Sequence, residues 1–98
     1  MTTYKIIKAV SKAFNVPRWR FTDAKRGSPN IAQARQVAMV LTDELTENLQ
    51  RETASAFNRT KTAVIGARKA VQNAMDTEPK FCKIMDQLRK QLTEEGSK

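Results

Sequence analysis

The stretch Thr53-Ala-Ser-Ala-Phe57-Asn58-Arg59-Thr60-Lys61-Thr62-Ala63-Val64 constrains this chain more than any other part of it. It reads as a short helix, a tight break at Asn58, and a second helix that opens on a cluster of hydrogen-bonding side chains. That layout is a helix-turn-helix, whose second helix lies in the major groove of DNA. Many helix pairs share the pattern, so its surroundings matter. No acidic residue stands between Thr53 and Met75, and the formal net charge of the chain is +8. The stretch therefore predicts a module that binds double-stranded DNA.

Composition narrows the alternatives. Ninety-eight residues suit a single domain over 1–98, since one core typically serves about 100–150 residues. An apolar fraction of 40% supports a folded helical chain. No apolar run approaches the roughly 20 residues that span a bilayer, and Lys5, Lys8 and Lys12 break up the N-terminal segment, so neither a membrane partner nor a secretory signal is expected. Cys82 is the only cysteine, which excludes an internal disulfide and suits a reducing cytoplasm. The absence of histidine removes imidazole catalysis and histidine metal sites. Gly27, Gly66 and Gly96 are too scattered for a phosphate-cradling loop. No catalytic residue, metal, cofactor or small-molecule substrate is expected.

Charge is partitioned along the chain. Residues 1–36 carry eight basic side chains against Asp23 alone, and residues 59–75 carry Arg59, Lys61, Arg68 and Lys69 with no acid. Between them, residues 37–58 set Arg51 against Asp43, Glu44, Glu47 and Glu52. The two positive blocks flank the helix-turn-helix, which favours a phosphate-facing surface.

Apolar spacing lays out an all-α bundle of five to six helices. Ile6, Ile7, Val10 and Phe14 recur at helical period over Tyr4–Phe14, and Asn15-Val16-Pro17 stops that helix. Pro17–Phe21 reads as one further turn, with Trp19 and Phe21 as core plugs. A basic loop follows over 23–30, carrying Lys25 and Arg26. Asn30, with Gln33 in a capping box, then opens a long helix whose apolar seam is Ile31, Ala34, Ala38, Leu41 and Leu45. Arg35 lies off that seam in the first turn, where a phosphate partner would offset its unfavourable place in the helix dipole. Thr46 to Asn48 end the long helix and lead to the short one, which Phe57 pins. The second helix of the motif runs from about Thr60 to Met75, with Val64, Ala67, Val71 and Ala74 as its buried stripe and Lys61, Ile65, Arg68 and Gln72 on the opposite side. Gly66 within it suggests a close approach to a neighbour. Phe81, Ile84, Met85, Leu88 and Leu92 outline a closing helix, Glu94–Lys98 are expected to fray, and Cys82 is an inert neighbour of the stripe.

Taken in order, Ala34-Arg35-Gln36-Val37-Ala38-Met39, Glu44-Leu45-Thr46 and Phe57-Asn58-Arg59-Thr60-Lys61-Thr62-Ala63-Val64 resemble the C-terminal DNA-binding domain of the bacterial replication initiator DnaA. The family reads approximately Pro-Arg-Gln-x-Ala-Met, Glu-Leu-Thr and Phe-Gly-Gly-Arg-Asp-His-Thr-Thr-Val in the same places, with one residue more in the turn. The similarity runs from about Tyr4 to Leu92. It implies a helix starting near Arg59 that reads the major groove and a basic loop that reaches the adjacent minor groove. The family's base-contacting Asp-His pair is Thr60-Lys61 here, Thr62 is retained, and the following threonine is Ala63. The loop-proximal arginine expected two residues before Arg35 is Gln33. These departures put recognition of the family's usual DNA box in question. The family's nucleotide-hydrolysing domain is not among these residues, which suits either a detached regulator or a piece of a larger parent chain.

Together these readings predict a sequence-specific binder of double-stranded DNA that regulates transcription or replication, cytoplasmic and nucleoid-associated in a bacterium or phage. Thr60, Lys61 and Thr62 are expected at base edges: lysine donates to guanine O6 and N7, and threonine offers a hydroxyl and a methyl. Arg35, Arg59, Arg68, Lys25 and Arg26 are expected on phosphates, and Gln33 on a phosphate or in the minor groove. A non-specific nucleoid binder needs only the charge. A protein-interaction module would need the closing helix to face a partner, yet a chain this small needs Phe81, Ile84 and Leu88 inside. If five cations meet phosphates, duplex affinity falls with salt at a log–log slope of roughly −4 to −5. A titration with a slope near zero would leave only the interaction-module reading.

Overall fold

The computed structural model describes residues 3–22, 28–46 and 50–96, and within them every regular element is helical. The elements are α1 (Thr3–Phe14), a 3₁₀ turn (Arg18–Phe21), α2 (Pro29–Leu45), α3 (Gln50–Ala56), α4 (Lys61–Thr77) and α5 (Pro79–Gly96). The fold is an all-α, five-helix arrangement in which α3 and α4 form a helix-turn-helix. Lys25 and Arg26 in the basic loop, and Glu47 and Asn48, lie outside the described residues.

The centre of the molecule is α2, which packs against α1, the 3₁₀ turn, α3, α4 and α5. Its sequence explains why it is covered on several sides. Ala34, Val37, Ala38, Met39, Val40 and Leu41 are all buried, so the apolar surface wraps well beyond one stripe. The single seam expected from Ile31 to Leu45 is thus only part of the buried surface. Serine 28, not Asn30, caps the helix: its Oγ accepts from the Ile31 N–H at 3.4 Å, and Pro29 takes the first helical position. Asn30 instead donates from Nδ2 to the Phe14 carbonyl at 3.3 Å, tying the start of α2 to the end of α1.

Both α1 and α3 stop by the same device. Asn15 and Asn58 each adopt φ of 54°, the left-handed conformation that asparagine tolerates better than most side chains. The Val16 N–H then bonds back to the Ser11 carbonyl at 3.1 Å, and the Arg59 N–H bonds to that of Ala54 at 2.8 Å. Each bond satisfies a carbonyl that the helix end would leave open. Pro17 therefore reinforces a stop that Asn15 has already made.

The remaining helices bury the stripes their spacing predicts: Val64, Ala67 and Val71 on α4, and Phe81, Met85, Leu88 and Leu92 on α5. Phe14 of α1 meets Phe81 edge-on with ring centroids 6.4 Å apart. Helix α4 extends two residues past Met75, and α5 continues to Gly96 through the segment expected to fray. Trp19 departs further from expectation. Phe21 is a core plug at 1% exposure, whereas Trp19 is 64% exposed, because a tight 3₁₀ turn cannot aim both rings inward.

Two acids at the end of α2 fasten the outer helices. Asp43 pairs with Arg68 of α4 at 2.5 Å, and Glu44 receives a two-pronged contact from Arg89 of α5 at 2.9 and 3.1 Å. Partly exposed pairs of this kind contribute at most about 1 kcal/mol each, so they align helices that the apolar core already holds. Thr53 of α3 is fully buried, and its hydroxyl has no hydrogen-bond partner among the described residues. Thr53→Val keeps the branched shape and removes that polar atom, so it should raise the unfolding free energy by about 1 kcal/mol. Urea unfolding of the two proteins measures this, and a loss of stability would mean that the hydroxyl is bonded after all.

Candidate nucleic-acid interface

The left-handed Asn58 turns the chain sharply after Phe57, whose side chain is completely buried and holds the corner against the core. Two residues later Thr60 caps α4, its Oγ accepting from the Ala63 N–H at 3.2 Å. The Thr60 side chain is exposed, but its oxygen is already committed to the helix start. Thr60 thus builds the end of the helix from which Lys61 and Thr62 project.

Helical spacing from the buried stripe sets what α4 presents outward. Thr62, Ile65 and Lys69 follow at i, i+3 and i+7 on the side away from Val64, Ala67 and Val71, and all three are exposed. Lys61 flanks this line in the first turn and is exposed as well. Ile65 is the unusual member, a large aliphatic side chain left 41% exposed in the middle of a polar surface. Ile65 and Lys69 were not singled out from the sequence as contact residues. Spacing had already set Ile65 opposite the buried stripe, and Lys69 follows at i+4 from it.

Of the cations expected on phosphates, the arginines separate into three situations. Arg35 is only 5% exposed, and its Nη2 donates to the Arg20 carbonyl at 2.8 Å. The expectation of a solvent-facing Arg35 off the buried seam is therefore corrected: its guanidinium fastens the 3₁₀ turn to α2. Burial of α2 on several sides leaves no outward sector at that position. Arg68 is half exposed and paired with Asp43. Arg59 is half buried, donates from Nη1 to the Asn58 carbonyl at 3.1 Å, and stands at the mouth of the turn.

Arg59 and Arg35 line a shared hollow of about 490 Å³ between the first turns of α2 and α4. Gln36, Met39 and the small residues Ala32, Ala63, Gly66 and Ala67 form its other walls. Gln33 is half buried one turn away on α2. The close internal approach expected at Gly66 is absent, since a Cβ built there would meet nothing within 4 Å. The fold itself does not require glycine at this exposed place. The first turn of α4 contains no acid, so neither its dipole nor its side chains oppose an anion. The arrangement offers hydrogen-bond donors, one apolar group and positive charge on a rigid, convex helix, which suits a groove and its phosphate walls.

Comparison with known families agrees with this geometry. The family model described as the bacterial DnaA protein helix-turn-helix matches residues 3–71, from the start of α1 into α4. The match ends short of Leu92, to which the sequence resemblance runs. Helix-turn-helix domains of this family are non-catalytic DNA-binding modules, so the chain is not an enzyme. Among the described residues no helix is long and apolar enough to cross a membrane. By this match and its fold, the chain belongs to the bacterial DnaA helix-turn-helix family and is a sequence-specific DNA-binding regulatory protein.

Proposed function

We propose that the chain works as one module over 1–98 and controls transcription or replication by reading duplex DNA with the outward face of α4. Lys61 and Thr62 address base edges, lysine as a donor to guanine O6 and N7 and threonine through its hydroxyl and methyl. Ile65 adds an apolar contact suited to a thymine methyl group. Arg59, Lys69 and the loop pair Lys25 and Arg26 hold phosphates and fix register. The observation that carries this reading is the exposed line Thr62, Ile65 and Lys69 beside Lys61, on a helix whose other side is locked in the core.

Arg35 is left out of the phosphate set because its guanidinium is inside, and Arg68 because Asp43 holds it. Four cations instead of five bring the expected salt slope to roughly −3.5. A bacterial or phage cytoplasm, with the nucleoid as the place of action, follows from the same reading. A protein partner or a larger parent chain would attach without involving α4.

Lys61→Ala separates reading from charge attraction. The side chain is exposed, so unfolding free energy should change by no more than about 0.5 kcal/mol. On the site enriched from a random duplex library, loss of a base contact should weaken binding by roughly 1–3 kcal/mol. Scrambled DNA at the same salt concentration should lose less, lowering the specificity ratio. Equal losses on both duplexes would make Lys61 a phosphate ligand, and a library without an enriched motif would favour non-specific nucleoid binding.

A further inference from the structure

The sole tryptophan and the sole tyrosine of the chain both lie outside its core, at 64% and 59% exposure. Aromatic rings are the largest apolar groups a small core can use, so leaving both in water calls for a reason. The neighbouring Phe21 is buried at 1%, which shows that the 3₁₀ turn has its anchor without Trp19. Each exposed ring also carries a guanidinium. Arg18 stands 5.5 Å from the centre of Tyr4 and donates to its hydroxyl, and Arg20 stands 5.1 Å from the centre of Trp19. These cation–π contacts hold the rings in place while much of their surface remains accessible.

The charge around them has one sign. Met1 to Thr22 contains Lys5, Lys8, Lys12, Arg18 and Arg20 and no acidic residue. The three lysines recur at i, i+3 and i+7 along one side of α1. Lys8, Lys12 and Arg18 line a hollow of about 650 Å³ between α1 and the entry to the 3₁₀ turn. Planar rings beside a row of cations are the two ingredients of single-strand binding, in which bases stack and phosphates follow positive charge. Trp19 belongs to the turn whose Arg20 carbonyl receives Arg35, and Arg35 lines the hollow it shares with Arg59 beside α4. The Arg35–Arg20 contact thus joins the turn that carries Trp19 to the hollow beside α4.

We infer that the surface formed by α1 and the 3₁₀ turn is a second nucleic-acid site, one that takes single-stranded DNA. Bases stack on Trp19 and Tyr4, and Lys8, Lys12 and Arg18 meet the phosphates. A strand unpaired next to a bound duplex is its occupant, so the chain engages both forms of DNA with different faces.

Because Trp19 is the only tryptophan, its fluorescence reports this surface alone. Short oligo(dT) should quench it saturably, more strongly than a duplex of equal length and more strongly than polyglutamate of equal charge. Anisotropy of labelled oligo(dT) should show roughly 5- to 150-fold weaker binding for Trp19→Ala and for Tyr4→Ala, as expected for loss of one stacked base. Both variants should melt like the parent and keep its affinity for duplex DNA. The inference is overturned if oligo(dT) leaves Trp19 unquenched or the variants bind it normally. Equal quenching by polyglutamate would reduce the surface to charge alone, and a duplex that quenches as well as the single strand would make it part of the groove-reading interface. Tighter binding of oligo(rU) than of oligo(dT) would assign the surface to RNA.

Discussion

The packing of α2 against every other described element is the constraint on which the rest of this structure depends. A helix on which every side chain from Ala34 to Thr42 except Gln36 is buried has little surface left for solvent, and its neighbours are arranged by what they must cover. The same burial turns Arg35 inward. A guanidinium at 5% exposure needs acceptors, and the Arg20 carbonyl at 2.8 Å supplies one, which draws the 3₁₀ turn onto the helix. The position of the exposed aromatic surface and that of the α4 first turn are thus both consequences of the central helix.

Charge follows from packing in the same way. Like charge in the acidic block of the sequence opposes a phosphate backbone, yet two of its carboxylates are engaged within the fold. Asp43 is paired with Arg68 and Glu44 with Arg89, so each acid is matched by a cation from an outer helix. Arg59 stands at the turn, and Lys61 and Lys69 are exposed along α4, carrying positive charge outward. Partition of charge into internal pairs and an outward basic surface lets a chain with mixed composition present a field of one sign where it meets DNA.

Precision at the reading helix comes from the backbone. Asn58 at φ of 54° reverses the chain within a few residues, the Arg59 N–H closes the end of α3, and the Thr60 hydroxyl opens α4. With Phe57 buried behind the corner, the first turn of α4 has little freedom. Base-edge contacts require that rigidity, because hydrogen bonds weaken steeply with misalignment. Each part is local, which is why the motif is visible as a run of residues.

Much of the architecture was legible in the sequence, since helices declare themselves by apolar spacing. The break at Asn58, the stripe of Val64, Ala67 and Val71, and the closing helix on Phe81, Met85, Leu88 and Leu92 are all local periodicities, and the family resemblance is carried by short runs in fixed order. The proposed contact residues were only partly legible. Lys61 and Thr62 follow from their place at the start of α4, but Thr60 turns out to serve as a cap, Arg35 as an internal clamp and Arg68 as the partner of Asp43. Ile65 was outward by its spacing already, without being read as a contact, and Lys69 joined it only once the exposed line on α4 was seen. Trp19 and Phe21 stand two residues apart in one turn, yet one is exposed and the other buried. What the sequence by itself determined was the all-α class, the helix-turn-helix and the basic character of its flanks, because those depend on near neighbours along the chain. Only the tertiary structure decided which cations and aromatics face solvent, because exposure depends on which helices lie against which, and those contacts join residues far apart in sequence.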